Sequence, residues 1–217
     1  HSDDDGLVVP PRVAPAHVVI LPIIKKGGDN RAVLDSAQSL KDALEEKVFH
    51  NRNVVVEIDS RDIGGARGWE WVKKGIPVRV ELGPRDIENN AVFMARRDTP
   101  SNKKESMNRE EFISQITDIL DGIQSNLFNR AVAFRNEHTF EMDEKKEFYK
   151  LYRKSKGFNN GAFVRAHWCG SDACEAKIKD ELSVTIRCIP FDSPTEDGQC
   201  IYCNSPSSRR VLFAKAY

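Results

Sequence analysis

Five cysteines lie in the last quarter of this 217-residue sequence, at 169, 174, 188, 200 and 203. Cys169 and Cys174 are separated by four residues and Cys200 and Cys203 by two, with 25 residues between the pairs. Two short-spaced thiol pairs let one ion draw two loops together, with four thiolates at the corners of a tetrahedron. A thiolate-rich shell with no open position suits a single structural Zn²⁺. Cys188 belongs to neither pair and sits in an apolar run, so it reads as a buried core thiol. His167 is a substitute ligand or, more simply, a packed residue beside Trp168. The competing readings are four free thiols, or a catalytic or redox-active pair at Cys200 and Cys203. An odd cysteine count behind an acidic, proline-broken start with no signal-peptide pattern points to a reducing compartment, the cytoplasm, rather than a disulfide framework.

A second constellation is cationic. Gly75 to Asp86 reads GIPVRVELGPRD, in which Ile76, Val78, Val80 and Leu82 alternate with Pro77, Arg79 and Glu81. That period of two predicts a half-buried strand with Arg79 and Glu81 on the face away from the core. Arg85 follows the strand's carboxyl end, where open α/β sheets place ligands. Two guanidiniums there suit an anionic or hydrogen-bond-rich partner, although a solvated edge strand shows the same pattern. Trp69 and Trp71, beside Arg67, Lys73 and Lys74, are suited to stacking on bases or to anchoring a core. Other chemistry is missing. The sequence has no G-x-S-x-G, H-E-x-x-H or phosphate-cradling glycine loop. Lys and Arg number 33, as do Asp and Glu, so no global field draws in nucleic acid and any RNA must meet a local basic patch. No apolar run approaches the ~18 residues of a membrane span.

The elements that must position these groups are those of an α/β layer protein. Val18–Ile24 and Val54–Ile58 read as buried strands around a helix whose stripe is Val33, Ala37, Leu40, Leu44 and Val48, a β-α-β unit. A short helical segment at 69–74 leads into the arginine strand. Ala91–Ala95 reads as a further strand, linked by a hairpin through Asn89-Asn90. Asn108 with Glu111 starts a long helix carrying Phe112, Ile116, Ile119, Leu120, Ile123 and Leu127. Residues 141–156 form an amphipathic helix, broken at Gly157. The rest reads as strand 162–168, helix 172–182, strand 184–189, a cysteine turn and strand 210–214. Such a unit is small enough to need a staple. Residues 3–16, with three aspartates and three prolines, read as a linker, and the chain as part of something longer.

These stretches together resemble a family. DDDGLVVPPRVAP, VVILPI, KKGIPVRVELGPRDIE and ARRDT, followed by WCGSDACEAKIK, RCIPF and a terminal VLFAKAY, are similar to the anticodon-binding and zinc-containing C-terminal domains of prolyl-tRNA synthetases of the archaeal and eukaryotic type. The resemblance implies a mixed, mostly parallel five-stranded sheet with flanking helices, followed by a small α/β zinc-binding domain. It divides the chain into a linker at 1–16, an anticodon-binding domain at 17–140 and a zinc domain at 141–217, without the class II catalytic domain that would hold ATP and Mg²⁺. It implies that the parent enzyme attaches proline to tRNA-Pro and pairs as a homodimer, and that this chain alone is inactive and monomeric or weakly dimeric. Arg79 and Arg85 would meet the two anticodon guanines, and Arg96, Arg97, Lys103 and Lys104 the backbone phosphates. Where the family often carries a glutamate after the second tryptophan, this chain has Val72, and Glu70 is the nearest stand-in. Tyr217 would pack toward the absent active site. The contrasting expectation is a stand-alone interaction module of the same fold with no tRNA role.

Overall fold

The computed structural model describes residues 1–153, 162–191 and 193–215. The expectations for Gly157 and Tyr217 lie outside the described residues. The backbone divides into two units, His1–Arg130 and Ala131–Tyr217.

The first unit is built on a five-stranded sheet: β1 (Val18–Pro22), β2 (Val56–Ile58), β3 (Val78–Leu82), β4 (Ala91–Arg96) and β5 (Glu105–Asn108), in the order β2-β1-β3-β4-β5. The helices are α1 (Arg31–Glu45), α2 (Ala66–Lys73), the single-turn α3 (Pro84–Glu88) and α4 (Arg109–Glu137), with the division between units falling inside α4. β2, β1 and β3 run parallel, and β4 and β5 complete the sheet antiparallel. β5 opposes β4 and so runs with the first three strands, which gives the mixed sheet that was expected, with β4 alone reversed. β5 is the strand that periodicity missed, because its four residues, ESMN, carry no apolar alternation.

The alternation in β3 works as read. Val78, Val80 and Leu82 are buried, and Arg79 and Glu81 face the other way, half-buried. One face of the sheet joins Val80, Val92 and Met94 to Leu40 and Leu44 of α1 and to Phe112, Ile116 and Ile123 of α4. The helical stripe expected to reach Val48 stops earlier. α1 ends at Glu45, and Val48 lies in a short hairpin, Val48–Phe49 with Arg52–Asn53, where it is exposed and Phe49 takes the buried place. The opposite face is only partly covered. Val19 and Leu21 of β1 pack with Ala16, Ile76 and Trp71. Residues 1–16 fold onto this side as a hairpin, Ser2–Asp3 with Gly6–Leu7, followed by a turn of 3-10 helix at Pro11–Val13. Gly75, at φ +75°, lets Leu7 approach so closely that an added Cβ would lie 2.7 Å from its carbonyl oxygen.

In the second unit β6 (Thr139–Glu141), β7 (Phe163–His167), β8 (Val184–Cys188) and β9 (Arg210–Lys215) form a sheet in the order β6-β7-β9-β8. Helices α5 (Lys145–Arg153) and α6 (Asp172–Leu182) supply Phe148, Tyr152, Ile178 and Leu182 to a core with Val164, Val211 and Phe213. Phe148 meets Phe213 edge-on, centroids 5.3 Å apart, and Tyr152 Oη donates to Phe213 O at 3.0 Å. Cys188 corrects the sequence reading. It ends the edge strand β8 after a register shift between Ile186 and Cys188 and is exposed, not a core thiol. The bulge breaks the alternation on which its burial was predicted.

Candidate nucleic-acid interface and cysteine centre

Where α2 stops covering the second face of the first sheet, a cleft of about 560 Å³ opens. Its floor is Arg79 and Glu81 of β3 with Phe93 of β4, one wall is Trp69 and Val72 of α2, and the other is Ser101, Asn102 and Lys104 of the β4–β5 loop. Parity explains the floor: the register sets Arg79 opposite Ala95 and Glu81 opposite Phe93, so all four share the face that the core does not use. Trp69 is 50% exposed, whereas Trp71 turns inward and donates from Nε1 to Asp59 at 2.8 Å. Of the two tryptophans, one is free to stack and the other anchors the core.

Arg79 is half-buried and donates from Nη2 to Ser101 O at 3.1 Å. Burial pulls its guanidinium below its ordinary value, without a carboxylate in hydrogen-bond contact to offset it. Lys104 Nζ lies 2.6 Å from Glu81 Oε1 and 5.6 Å from the Phe93 ring centroid. Thus Trp69, Arg79 and Lys104 come together as site residues, joined by Glu81, which the sequence reading placed on the Arg79 face without assigning it to the site, and by Phe93 and Asn102, which it did not single out. Parity along β3 and β4 was the available signal for Glu81 and Phe93; Asn102 had none.

The other expected residues lie outside this cleft. Arg85 is exposed in α3, past the end of β3, with no ion pair among the described residues, and Lys103 is exposed on the loop. Glu70 points off the cleft wall, because one helical residue turns the side chain about 100° from Trp69. It meets Arg61 at 2.6 Å, and Val72, not Glu70, lines the wall. Arg96 and Arg97 are engaged internally. Arg96 shares the parity of Val92 and Met94 and makes a two-bond fork, 2.9 and 2.8 Å, to Asp98, whose side chain is fully buried. Asn126 donates to the same carboxylate at 2.7 Å, and these partners hold Asp98 below the usual carboxylate range against its burial. Arg97 is buried, donating to Val72 O at 3.2 Å and to Asp3 at 2.7 Å. Its guanidinium draws Asp3 down to about 2. Neither arginine is presented to a phosphate, because each already satisfies an acidic partner.

The four paired cysteines converge. Cys169 follows β7, Cys174 sits in the first turn of α6, and Cys200 and Cys203 occupy the turn between Gly198–Gln199 and Pro206–Ser207. All four Sγ atoms lie within 4.8 Å of one another. The turn is folded by Cys200 N–H donating to Ser205 O at 2.8 Å and is tied to β7 by Ile201 N–H donating to His167 O at 2.9 Å. His167 is outside the group. It is buried, with its ring against Gly198 and Nδ1 3.3 Å from Ser207 Oγ. Burial pushes the Cys174 thiol up to about 12, and the Ser205 hydroxyl, 3.3 Å away, helps draw Cys203 down to about 6. The donor set can hold a metal ion. Sγ of Cys169 lies 3.7 Å from both Cys174 and Cys203. The edge of a tetrahedron with metal–sulfur bonds of about 2.3 Å is about 3.8 Å.

Comparison with known proteins accounts for both halves. The family model described as "Anticodon binding domain" matches residues 17–119, and that described as "Prolyl-tRNA synthetase, C-terminal" matches residues 155–217. The chain is 44% identical to "Proline--tRNA ligase 2" of Anaeromyxobacter dehalogenans over 100% of its own length and 44% of that protein's. It is 42% identical to "Proline--tRNA ligase" of Akkermansia muciniphila, over 100% of the chain and 43% of the relative. For "Proline--tRNA ligase" of Protochlamydia amoebophila the identity is 39%, over 100% and 44%. The chain spans less than half the length of these relatives. With both domain models matched in order and the similarity running through every residue, the chain belongs to the prolyl-tRNA synthetase family, of which it carries the anticodon-binding and C-terminal domains.

Proposed function

We propose that the first unit grips the anticodon stem-loop of tRNA-Pro through the cleft on its second sheet face, and that the four thiolates of the second unit hold one structural zinc ion. The observation that carries the RNA reading is the cleft itself, an exposed tryptophan and a phenylalanine beside two cations on an open face. Unpaired loop bases splay out, stack on aromatic rings and offer their edges to side chains. Arg79, steadied by Ser101 O, is oriented to donate to a guanine O6 and N7. Arg85, at the exit of β3, takes a second base, and Lys103 takes backbone phosphate. The zinc reading rests on the sulfur spacing. A closed thiolate shell leaves no position for catalysis, so the ion's role is to staple the turn at 200–203 to the start of α6.

The parent protein attaches proline to tRNA-Pro with ATP in a catalytic domain carrying Mg²⁺, pairs through that domain as a homodimer, and works in the cytoplasm. This chain alone binds RNA without aminoacylating it, as a monomer or weak dimer. Among the described residues no helix is long and apolar enough to cross a membrane. Filter binding with a tRNA-Pro anticodon stem-loop tests the reading. Salt-sensitive affinity that falls about tenfold or more in Arg79→Ala supports it, since a good bidentate base contact is worth ~1–3 kcal/mol. Equal binding to a loop with both guanines replaced overturns specific readout and favours a general interaction module. Elemental analysis should find one zinc per chain. A metal-free protein with fast labelling of Cys203 would instead mark a redox pair.

A further inference from the structure

We propose that Glu81 and Lys104 act together as a reader of guanine's Watson–Crick edge. The proposal rests on the RNA-binding reading above and names the base chemistry that the same cleft takes. Glu81 is the one carboxylate lining the cleft among the described residues. Its Oε1 is 2.6 Å from Lys104 Nζ, and the two side chains are each 32% exposed. They are neither sealed in the core nor freely solvated, so both can turn to a ligand. The pair shares the cleft with two aromatic rings. Phe93 is the cross-strand partner of Glu81, and exposed Trp69 forms the wall.

The other polar groups leave this task to Glu81. The Ser101 carbonyl accepts from Arg79, and the α2 wall offers apolar Val72. A base entering the cleft therefore meets one strong acceptor with a cation beside it. Guanine alone among the four RNA bases presents two adjacent donors, N1–H and N2–H, next to an acceptor, O6. A carboxylate takes the two donors side by side, and an ammonium one step along takes O6. Adenine and cytosine each turn a ring-nitrogen acceptor toward the carboxylate, and uracil has a single donor between two carbonyls. Those bases leave Glu81 partly desolvated and unpaired, which is how a site built for hydrogen bonds rejects an analogue. A bland role as a strand-to-loop ion pair accounts for proximity, but solvent-reached pairs of this kind add little to stability. It gives no reason for the pair to line, with two aromatic side chains, the cleft that carries Arg79.

The test measures binding of anticodon stem-loops in which each loop guanine is replaced in turn by inosine, which lacks N2–H, and by adenine. Wild type is expected to lose about tenfold at one position with inosine and more with adenine. Glu81→Gln should bind the guanine loop about tenfold more weakly and shrink the guanine–inosine difference at that position to within about twofold. Lys104→Met should lower affinity while keeping the guanine–inosine difference, because it touches O6 and not N2. Thermal melts matching wild type identify the change as local. If Glu81→Gln leaves the guanine–inosine ratio intact, the reader is overturned while the RNA reading stands. If wild type binds no stem-loop in a salt-sensitive way, the RNA reading itself fails, a separate and visible result.

Discussion

The two units solve the same problem with different means. The first packs α1 and α4 side by side on one sheet face and assembles a core that includes Leu40, Leu44, Phe112, Ile116 and Leu120, all essentially inaccessible. With that face secured, it can leave part of the other face open and place charge there. The second unit has a smaller core around Phe148 and Phe213 and two loops that converge on four sulfurs. A metal ion held there, as proposed, would stand in for apolar area that so short a chain cannot bury. The lesson is that a binding face is cheap where the opposite face is well packed, whereas a staple is needed where neither loops nor layers suffice.

The sharpest way to break this contrast is at the sulfurs. Chelation, or Cys174→Ser, should destabilise the second unit by several kcal/mol or unfold it, because apparent binding energy of a structural zinc is folding energy. Hydrogen exchange should report this as lost protection in β7, β9 and α6 with the first unit's sheet unchanged. Coincident loss in both units would show that they are not energetically separate. The next largest effect is expected in the first unit. Asp98→Ala leaves half-buried Arg96 and Asn126 without their shared acceptor and should cost about 3 kcal/mol in urea unfolding.

A third effect is set by pH. His17 is fully buried, accepts from Val55 N–H at Nδ1, 2.9 Å, and has Arg52 Nη2 2.7 Å from Nε2. Burial first, and then the charge of Arg52, lowers it from about 6.5 to about 4. The unfolded chain therefore binds a proton that the folded chain refuses. Stability is full above about pH 6.5 and falls as pH drops toward 4, by on the order of 2 kcal/mol. Unfolding midpoints across that window should show the loss in the first unit, and a flat profile would remove His17 as its cause. The smallest effect is at Glu70→Gln, which should change stability by under about 0.5 kcal/mol, as exposed ion pairs do, and leave RNA affinity unchanged because Glu70 faces away from the cleft. A tenfold affinity loss there would return Glu70 to the site and redraw the wall.

Much of this was legible in the residues themselves. Alternation along β3 set which side of the sheet carries Arg79, and cysteine spacing named the four thiols that meet. What was illegible followed from contacts across long sequence separations. Arg96 and Arg97 look alike in the sequence, yet one forks to Asp98 and the other is closed over by Asp3, 94 residues away. The β5 strand carries no pattern of its own and forms because β4 offers it an edge. Cys188 needed knowledge of a bulge that no periodicity encodes. Charge type alone proposed a set of candidates, and only tertiary pairing decided which of them remain available.

The close approach at Gly75 has a consequence for recognition. With Leu7 pressed against it, the turn into β3 has no slack, and the spacing from Gly75 to Val78 fixes which side chains face the cleft. One inserted residue there would rotate the strand by half a repeat, sending Val80 toward solvent and Glu81 into hydrocarbon. The meaning of every polar group on that strand is thus spelled by the length of the turn that precedes it.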